Sequence, residues 1–360
     1  MTVRGTVLPA HQPNSFGFLR LMFATMVIAS HSPELIDGNR SREILTRLFG
    51  TLSFGELGVH GFFLISGYLI TKSYVTSAGM SAYLGKRLLR IYPGYVASFL
   101  ICWLVVGPLA GGHVPFGDGL AGQIWRLLTL GLPERDGAFA GLHYPSLNGS
   151  MWTIAYEFRC YLLVALLGWL GVLRRKVLYG TLTGVLAVLM LIDFDVPVPG
   201  VLVGLLGSVR YDMQFFTLFF CGGCFYVFRD HIRLNGRTAT VAALLLAGVM
   251  FVGPLADLAV GVFGGYLLFW FAFSVTAAPL SRIGGRIDLS YGLYLYAWPV
   301  QSLIIQNAGP ISPWLLFAIA TPLAGVLGYA SWRLVEQPFL RLKGHLHRPL
   351  APVRMPEASG

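Results

Sequence analysis

The sequence predicts an all-α integral membrane protein: a bundle of about ten transmembrane helices with both termini in the cytoplasm. Of its 360 residues, 55% are hydrophobic and only 12% are charged. A soluble domain carries about 25% charged residues, so this chain has too few to cover a water-soluble surface. The apolar residues also come in blocks near the length of about 20 residues that a helix needs to cross a bilayer.

Charged residues and Pro/Gly clusters divide the apolar sequence into ten predicted spans. They cover about 16–32, 54–76, 88–111, 151–171, 177–193, 212–228, 238–254, 257–279, 287–307 and 313–335. The stretch Val198–Val209 is too short to cross and is predicted to be re-entrant or interfacial. The predicted organisation is a cytoplasmic segment 1–15, a transmembrane domain 16–340 and a basic, disordered cytoplasmic tail 341–360.

The formal net charge of +10 does not indicate a nucleic-acid partner, because the basic residues are not gathered on one face or tail. Most of the 26 Lys and Arg fall in loops on the side that holds both predicted termini. This is the positive-inside pattern of a multi-pass membrane protein, whose first partner is membrane lipid.

All four cysteines lie in apolar segments, and the Cys221-x-x-Cys224 pair has no second pair or histidine nearby. We therefore expect buried small hydrophobic residues here, with no metal site. The first apolar block has no cleavage site after it, so a retained helix is expected.

Ionisable residues inside the spans are costly, and the first span holds two of them, Arg20 and His31. Eleven residues bring the helix back to about the same face, with a rise of about 16.5 Å. A cation and an imidazole on one face suit a long substrate that lies along the helix. The alternative is a membrane anchor and an interfacial histidine that happen to align.

Two neighbouring spans carry further candidates. The second span contains His60, Ser66 and Gly67, and its small residues allow a helix or a thin ligand to come close. Lys86, Arg87 and Arg90 are predicted to enter the third span from the cytoplasm. Arg87 and Arg90 share a face, and two guanidinium groups match the phosphates of a nucleotide-like donor. Packing and charge that sets topology are the alternatives.

Glu157 and Arg159 lie inside the fourth span but, two residues apart, do not face each other. Each therefore needs a partner from another helix or a wet cavity. Glu157 is a candidate to orient His31, and a structural ion pair between helices is the alternative.

Taken in order, these residues resemble the acyltransferase-3 family of bacterial membrane acyltransferases, over about residues 15–340. The matching motifs are Arg20-x10-His31, Gly58-Val59 with Phe62-Phe63 and Ser66-Gly67, Arg87-x-x-Arg90 with Ile91-Tyr92-Pro93, Trp152-Thr153 with Glu157, Ser290-Tyr291-Gly292 with Tyr296 and Trp298-Pro299, and Glu336-x-Pro338. The chain departs from the family pattern at Ala297, where relatives often have His, and at His60, where they often have Asp.

The resemblance implies ten helices in a bacterial inner membrane. It also implies transfer of an acyl group, most often acetyl, from acyl-CoA to a carbohydrate hydroxyl. Acyl-CoA is then a co-substrate, and no tightly bound cofactor is expected. The acceptor is expected to be a polysaccharide, oligosaccharide or lipid-linked glycan.

The resemblance implies an essential role for Arg20 and His31 and a part in donor handling for Arg87 and Arg90, and the other roles are our own predictions. His31 is expected to be the general base, or else a nucleophile that takes up the acyl group, with Arg20 essential and Glu157 holding the His31 tautomer. Lys86, Arg87, Arg90, Ser66 and Gly67 are expected to bind the donor, and Asn148, Trp152 and Tyr156 the acceptor. A transporter or flippase of a glycan or small anion is the rival function, and a sensor or scaffold a third.

Overall fold

The computed structural model describes residues 6–7, 14–113, 119–198, 207–276, 280–285 and 287–343. Its α-helices are α1 Phe16–Asp37, α2 Ile44–Phe49, α3 Phe54–Val75, α4 Met80–Ile101, α5 Gly107–Leu109, α6 Gly119–Leu128, α7 Trp152–Trp169, α8 Lys176–Leu191, α9 Val209–Val227, α10 Gly236–Val249, α11 Gly253–Ala259, α12 Gly265–Ser274, α13 Ser290–Ala308, α14 Pro313–Ser331 and α15 Gln337–Arg341. Two short strands, β1 Thr6–Val7 and β2 Arg233–Leu234, pair antiparallel.

The all-α class is confirmed, and each of the ten predicted spans overlaps a helix or a pair of consecutive helices. Among the described residues, 5 helical stretches are long and apolar enough to cross a membrane: Phe54–Val75, Met80–Leu109, Gly149–Trp169, Gly253–Ser274 and Pro313–Arg341. Ten crossings and cytoplasmic termini stay predictions. The predicted re-entrant piece and the two terminal segments fall largely outside the described residues.

Three of those five stretches are continuous because a π-helical turn joins two α-helices. The turns are Cys102–Val106, Val260–Gly264 and Trp332–Glu336. An extra residue in the turn lets the helix run on while its face rotates. The helix of the third predicted span begins earlier than expected, at Met80, so Lys86, Arg87 and Arg90 lie inside α4 rather than at its entrance.

Helix α1 lies between α3 and α13, which places its polar residues inside the bundle. On its far side α3 packs against α9, where glycines allow the two backbones to touch. A Cβ atom on Gly67 would overlap the Phe219 carbonyl, and one on Gly222 would overlap the Leu64 carbonyl. This close approach is the role that small residues have between helices in lipid.

The outer faces of the bundle are apolar, as a lipid environment requires. Val177 is 81% exposed, Leu334 75% and Trp169 73%. Large hydrophobic side chains this exposed, spread over several helices, would be unfavourable in water but match hydrocarbon chains. Apolar side chains therefore face outward, while Arg20, Arg90 and Glu157 face a cavity inside the bundle, as in a membrane protein.

Candidate active site

Local sequence explains where α1 and α3 present their functional residues. Helix α3 begins with a capping box, in which Ser53 Oγ accepts from the Glu56 amide at 3.1 Å and the Glu56 carboxylate accepts from the Ser53 amide at 2.7 Å. Helix α1 ends at Gly38, whose φ of 71° suits glycine. A Cβ atom on Gly58 of α3 would overlap the Phe23 carbonyl, so this glycine lets α1 and α3 lie in contact.

A first cavity of about 120 Å³, called here the arginine cavity, lies between α1, α3, α4, α7 and α13. Its polar lining is Arg20, Ser66, Arg87, Arg90, Thr153, Glu157, Tyr161, Ser290, Tyr291 and Tyr294. Phe62, Phe63, Leu69 and other apolar side chains form the rest of its wall. The structure thus brings together five of the predicted site residues that come from four different helices.

Two of the cavity's arginines share one carboxylate. Asp288 Oδ2 accepts a hydrogen bond from Arg90 at 2.6 Å and lies 3.4 Å from Arg20 Nη1. Its other oxygen accepts from Ser290 Oγ at 2.6 Å, at the start of α13. The carboxylate is only 12% exposed, so it holds the two cations together against their mutual repulsion.

Two of the guanidinium groups nevertheless have hydrogen-bond donors that are not used within the described part of the chain. Arg20 Nε and Arg87 Nε are buried without a hydrogen-bond partner. Arg87 Nη2 makes a long hydrogen bond of 3.4 Å to Ser73 Oγ, and the guanidinium carbon lies 5.9 Å from the centre of the Tyr161 ring. Unpaired buried donors are costly, and an anionic ligand would pair them. The residues therefore fit a phosphate-bearing molecule.

Lys343, two residues beyond the end of α15, adds to this positive surrounding. Burial, together with the charges of Arg90, Arg87 and Lys86, lowers the pKa of Lys343 to about 7. Its ammonium group is therefore close to its titration midpoint at neutral pH. A bound polyanion would favour the charged form.

Glu157 also lies in the arginine cavity, and there the expectation from the sequence was wrong. Its Oε1 accepts hydrogen bonds of 2.6 Å from both Ser66 Oγ and Tyr161 Oη. It does not pair with His31, which lines a different cavity. The reason is that α7 packs against α3, where Glu157 meets Ser66. Arg159 does have a partner on another helix, Asp212 of α9, at 2.9 Å.

A second cavity of about 130 Å³, called here the histidine cavity, contains His31. Its polar lining is Ser30, His31, Glu34, Arg40, Ser53, Glu56, His60, Ser150, Trp152, Tyr211, Gln214 and Tyr294. Glu34 is one turn from His31 on the same helix, so the two side chains are neighbours. The Glu34 carboxylate accepts a 2.7 Å hydrogen bond from Arg40.

The His31 ring is oriented by an aromatic contact. Trp298 of α13 meets it edge to face at 4.8 Å between ring centroids. Trp298 is itself held by a 3.1 Å hydrogen bond from Nε1 to the Ser146 carbonyl. Gln301, one turn further along α13, donates to the Ile28 carbonyl at 3.1 Å and to Ser32 Oγ at 2.8 Å. These contacts fix the turn of α1 that carries His31.

The two cavities are adjacent. Val59 and Tyr294 line both of them, so these side chains form the wall between Arg20 and His31. Tyr294 is held on the α7 side, where its hydroxyl lies 2.6 Å from the Ser150 carbonyl and 2.6 Å from Thr153 Oγ1. One helix face of α1 thus leads from a cation-lined cavity to an imidazole-lined cavity, as its spacing predicts.

The remaining predicted site residues are placed differently. Trp152 lines the histidine cavity, but Asn148 and Tyr156 line neither cavity. Asn148 is 0% exposed and donates to the Leu295 carbonyl at 2.7 Å, while the Tyr156 hydroxyl accepts from the Ser208 amide at 3.0 Å. Gly67 faces α9, and Lys86 Nζ donates to Ser77 Oγ at 3.2 Å. These contacts give all four a packing role in the structure.

Sequence reasoning missed Asp288 and Gln301 as parts of the site. Asp288 stands two residues before the Ser290-Tyr291-Gly292 motif, at the polar edge of a predicted span. An ionisable residue in that position was the signal that could have found it. Gln301 is a neutral residue in an apolar helix, and its spacing carries no comparable signal.

Comparison with known proteins agrees with this picture. The sequence profile of the family described as "Acyltransferase domain" matches residues 14–333. The chain is 29% identical over 346 residues to the O-acetyl transferase of Shigella phage Sf6, covering 92% of this chain and 97% of that protein. It is 27% identical over 366 residues to nodulation protein 10 of Rhizobium leguminosarum bv. viciae, covering 92% and 95%. Acyltransferase MdmB of Streptomyces mycarofaciens is 28% identical over 182 residues, covering 49% and 44%. No solved structure matches the chain.

Proposed function

Since the chain belongs to the acyltransferase-3 family and is a membrane O-acyltransferase, we propose that it moves an acyl group, acetyl in the first instance, from acyl-CoA to a carbohydrate hydroxyl. The observation that carries this proposal is the pair of adjoining cavities. One is lined by three arginines, and the other by His31, with Val59 and Tyr294 as the wall between them.

The arginine cavity is the proposed donor site. Arg20 and Arg87 have unpaired buried donors, and Arg90 lies beside them on Asp288. Guanidinium groups form charge-assisted hydrogen bonds to phosphate. Under the positive-inside orientation this cavity opens toward the cytoplasm, where acyl-CoA is available. The thioester supplies an activated acyl group to the reaction.

The histidine cavity is the proposed place of transfer. A neutral imidazole at His31 accepts the proton of the acceptor hydroxyl as its oxygen attacks the thioester carbonyl. The new C–O bond forms, the C–S bond breaks, and the proton passes from His31 to the departing thiolate. Trp298, which packs against the ring, orients it, and the negative charge of Glu34 one turn away favours the transient imidazolium.

The acceptor is proposed to be a glycan that enters the histidine cavity from the opposite side. Trp152 and Tyr211 meet edge to face, with ring centroids 4.9 Å apart, and offer an aromatic surface, while Gln214 offers hydrogen bonds. Aromatic side chains beside carboxylates and amides suit a sugar ring, which has an apolar face and polar edges. The names of two relatives, an O-acetyl transferase and a nodulation protein, are in keeping with such an acceptor.

The proposal is tested with membranes that contain the protein, radiolabelled acetyl-CoA, and glycans extracted from cells lacking the gene. We expect label in the glycan and one free thiol for each acetyl group moved. His31→Gln should lower the rate by about 10²–10⁴-fold, the usual contribution of a general base. The exposed His231 provides the matched control, His231→Gln, which should act as wild type.

Transport would give a different result. A flippase would move the unmodified glycan across the membrane and release no thiol from acetyl-CoA. Full transfer activity in a folded His31→Gln protein would refute the role of His31 while leaving the transfer itself established.

A further inference from the structure

His60 and Asp257 are two buried polar groups of the histidine cavity that the proposed reaction does not use. His60, on α3, is 1% exposed and lines the cavity. Its Nε2 lies 3.5 Å from Oδ1 of Asp257 on α11, within reach of an ion pair but long for a hydrogen bond. Among the residues that the structure describes, none forms a hydrogen bond with His60 Nδ1. Unpaired buried polar atoms are uncommon in native structures, so this one needs a physical reason.

The pairing with Asp257 determines what His60 can bind. In a neutral ring, one nitrogen carries the proton and the other accepts. The carboxylate favours the proton on Nε2, so Nδ1 presents a lone pair. A ligand that completes Nδ1 must therefore donate a hydrogen bond, as a hydroxyl or an amine does. A carboxylate has no proton to donate at neutral pH, and a phosphate group is largely deprotonated there.

The charges around His60 favour the same kind of ligand. Among the described residues that line the cavity, Glu34 and Glu56 are acidic and Arg40 is basic. Arg40 already contacts Glu34 at 2.7 Å and Glu56 at 3.7 Å. Asp257 adds another negative charge behind His60. With both histidines neutral, negative charge is in excess, and an anionic ligand would be repelled.

We propose that His60, oriented by Asp257, is an acceptor-binding residue that accepts a hydrogen bond from a sugar hydroxyl. Together with the surplus of negative charge, it selects a sugar unit that carries no carboxylate or phosphate. This inference rests on the proposed function, because it requires a glycan in the histidine cavity. It adds the substrate class, a neutral or amine-bearing sugar, and the residue that recognises it.

The test compares two amide replacements that differ in which ring nitrogen they imitate. The amide oxygen of His60→Asn reaches the Nδ1 position and still accepts a hydrogen bond, whereas the amide of His60→Gln reaches Nε2 and leaves the Nδ1 position empty. Radiolabelled acetyl-CoA and glycans extracted from cells lacking the gene are the substrates, and mass spectrometry identifies the labelled sugar unit.

We expect His60→Gln to raise the KM for the glycan about tenfold, as loss of one substrate hydrogen bond does, with the KM for acetyl-CoA unchanged. His60→Asn should raise it less than about threefold, because the acceptor atom is kept. For Asp257→Asn, on another helix, the KM for the glycan should lie between those of the two His60 variants. This variant replaces His60→Gln in the comparison if His60→Gln does not fold. The labelled unit should be uncharged or amine-bearing.

Three results are decisive against the inference. Label on an acidic sugar unit would refute the substrate class. Equal glycan KM values in wild type, His60→Gln and Asp257→Asn would refute the residue's role. Equal losses in the Asn and Gln variants would show that His60 only supports the fold. If wild type labels no glycan at all, the proposed function fails first, and this inference fails with it.

Discussion

Asp288 accepts a 2.6 Å hydrogen bond from Arg90, and the two residues are 198 positions apart in the chain. This bond joins the start of α13 to the middle of α4 and brings Arg20 to the same carboxylate at 3.4 Å. The three charges form one unit, and its two guanidinium groups line the arginine cavity. Much of the geometry of the proposed donor site depends on this carboxylate.

Asp288→Asn is therefore expected to damage donor handling. A neutral amide cannot balance two guanidinium groups, and breaking a buried ion pair costs on the order of 3–5 kcal/mol. We expect a rise in the KM for acetyl-CoA of about tenfold or more, with a lower melting temperature in detergent. Asp230→Asn is the control, since Asp230 is 54% exposed and pairs loosely with Lys176 at 3.7 Å. An unchanged KM in the folded variant would argue against donor binding at this network.

Val59→Phe tests whether the acyl group passes between the two cavities. Val59 lines both, so a larger side chain there should close the passage. We expect the turnover number to fall about 10²-fold, because misplaced reacting groups cost that much. Binding of acetyl-CoA, measured by titration, should change less than about twofold.

The matched control for that substitution is Val177→Phe, at a valine 81% exposed on the outside of the bundle. It adds the same side-chain volume on the outer surface, where only lipid chains have to move to make room. Should Val59→Phe transfer acetyl groups at the wild-type rate, another route between donor and His31 would have to exist.

Lys343 predicts a pH dependence of donor affinity. Burial and the neighbouring charges of Arg90, Arg87 and Lys86 lower the pKa of Lys343 to about 7. The charged form, which attracts phosphate, is therefore present below pH 7 and is lost as the pH rises through it. We expect the KM for acetyl-CoA to rise between pH 6 and pH 8, by about two- to tenfold.

Lys343→Arg keeps the charge throughout this range, so its KM for acetyl-CoA should be flat with pH. The KM of Lys343→Met for acetyl-CoA should also be independent of pH, at the higher value that the wild type reaches at pH 8. A wild-type KM that does not change with pH, or one that changes equally in both variants, would show that Lys343 does not contact the donor.

Gln301→Leu tests the support of His31. The Gln301 amide donates to the Ile28 carbonyl and to Ser32 Oγ, on the turn of α1 just before and after His31. The two bonds are worth about 1 kcal/mol each, so their loss should lower the turnover number by at most about thirtyfold, if all of that support is needed to place His31. The KM for acetyl-CoA should stay the same because the arginine cavity is not touched.

Asn307→Leu, on the same helix, removes an exposed amide that donates to the Leu303 carbonyl at 2.8 Å and should have little effect. Equal losses of turnover in the Gln301 and Asn307 variants would mean that the effect comes from α13 itself and not from the position of His31.

The sequence alone predicted the helical membrane class and the arrangement of Arg20 and His31 along one helix. Both follow from local properties, because span length and hydropathy are read over a window and helix geometry relates residues eleven apart. The need of Arg159 for a partner on another helix was also predictable, since a lone charge in lipid is costly. The structure supplies that partner as Asp212.

Only the tertiary structure decided which charges meet. It separates Glu157 from His31, places Glu157 with Ser66 and Tyr161, and joins Arg20 and Arg90 through Asp288. It also showed that Asn148 and Tyr156 pack rather than line a cavity. The physical reason is that helix crossing and rotation set these contacts. Both depend on close contact between helices that are distant in sequence, and a local sequence pattern does not predict such contacts.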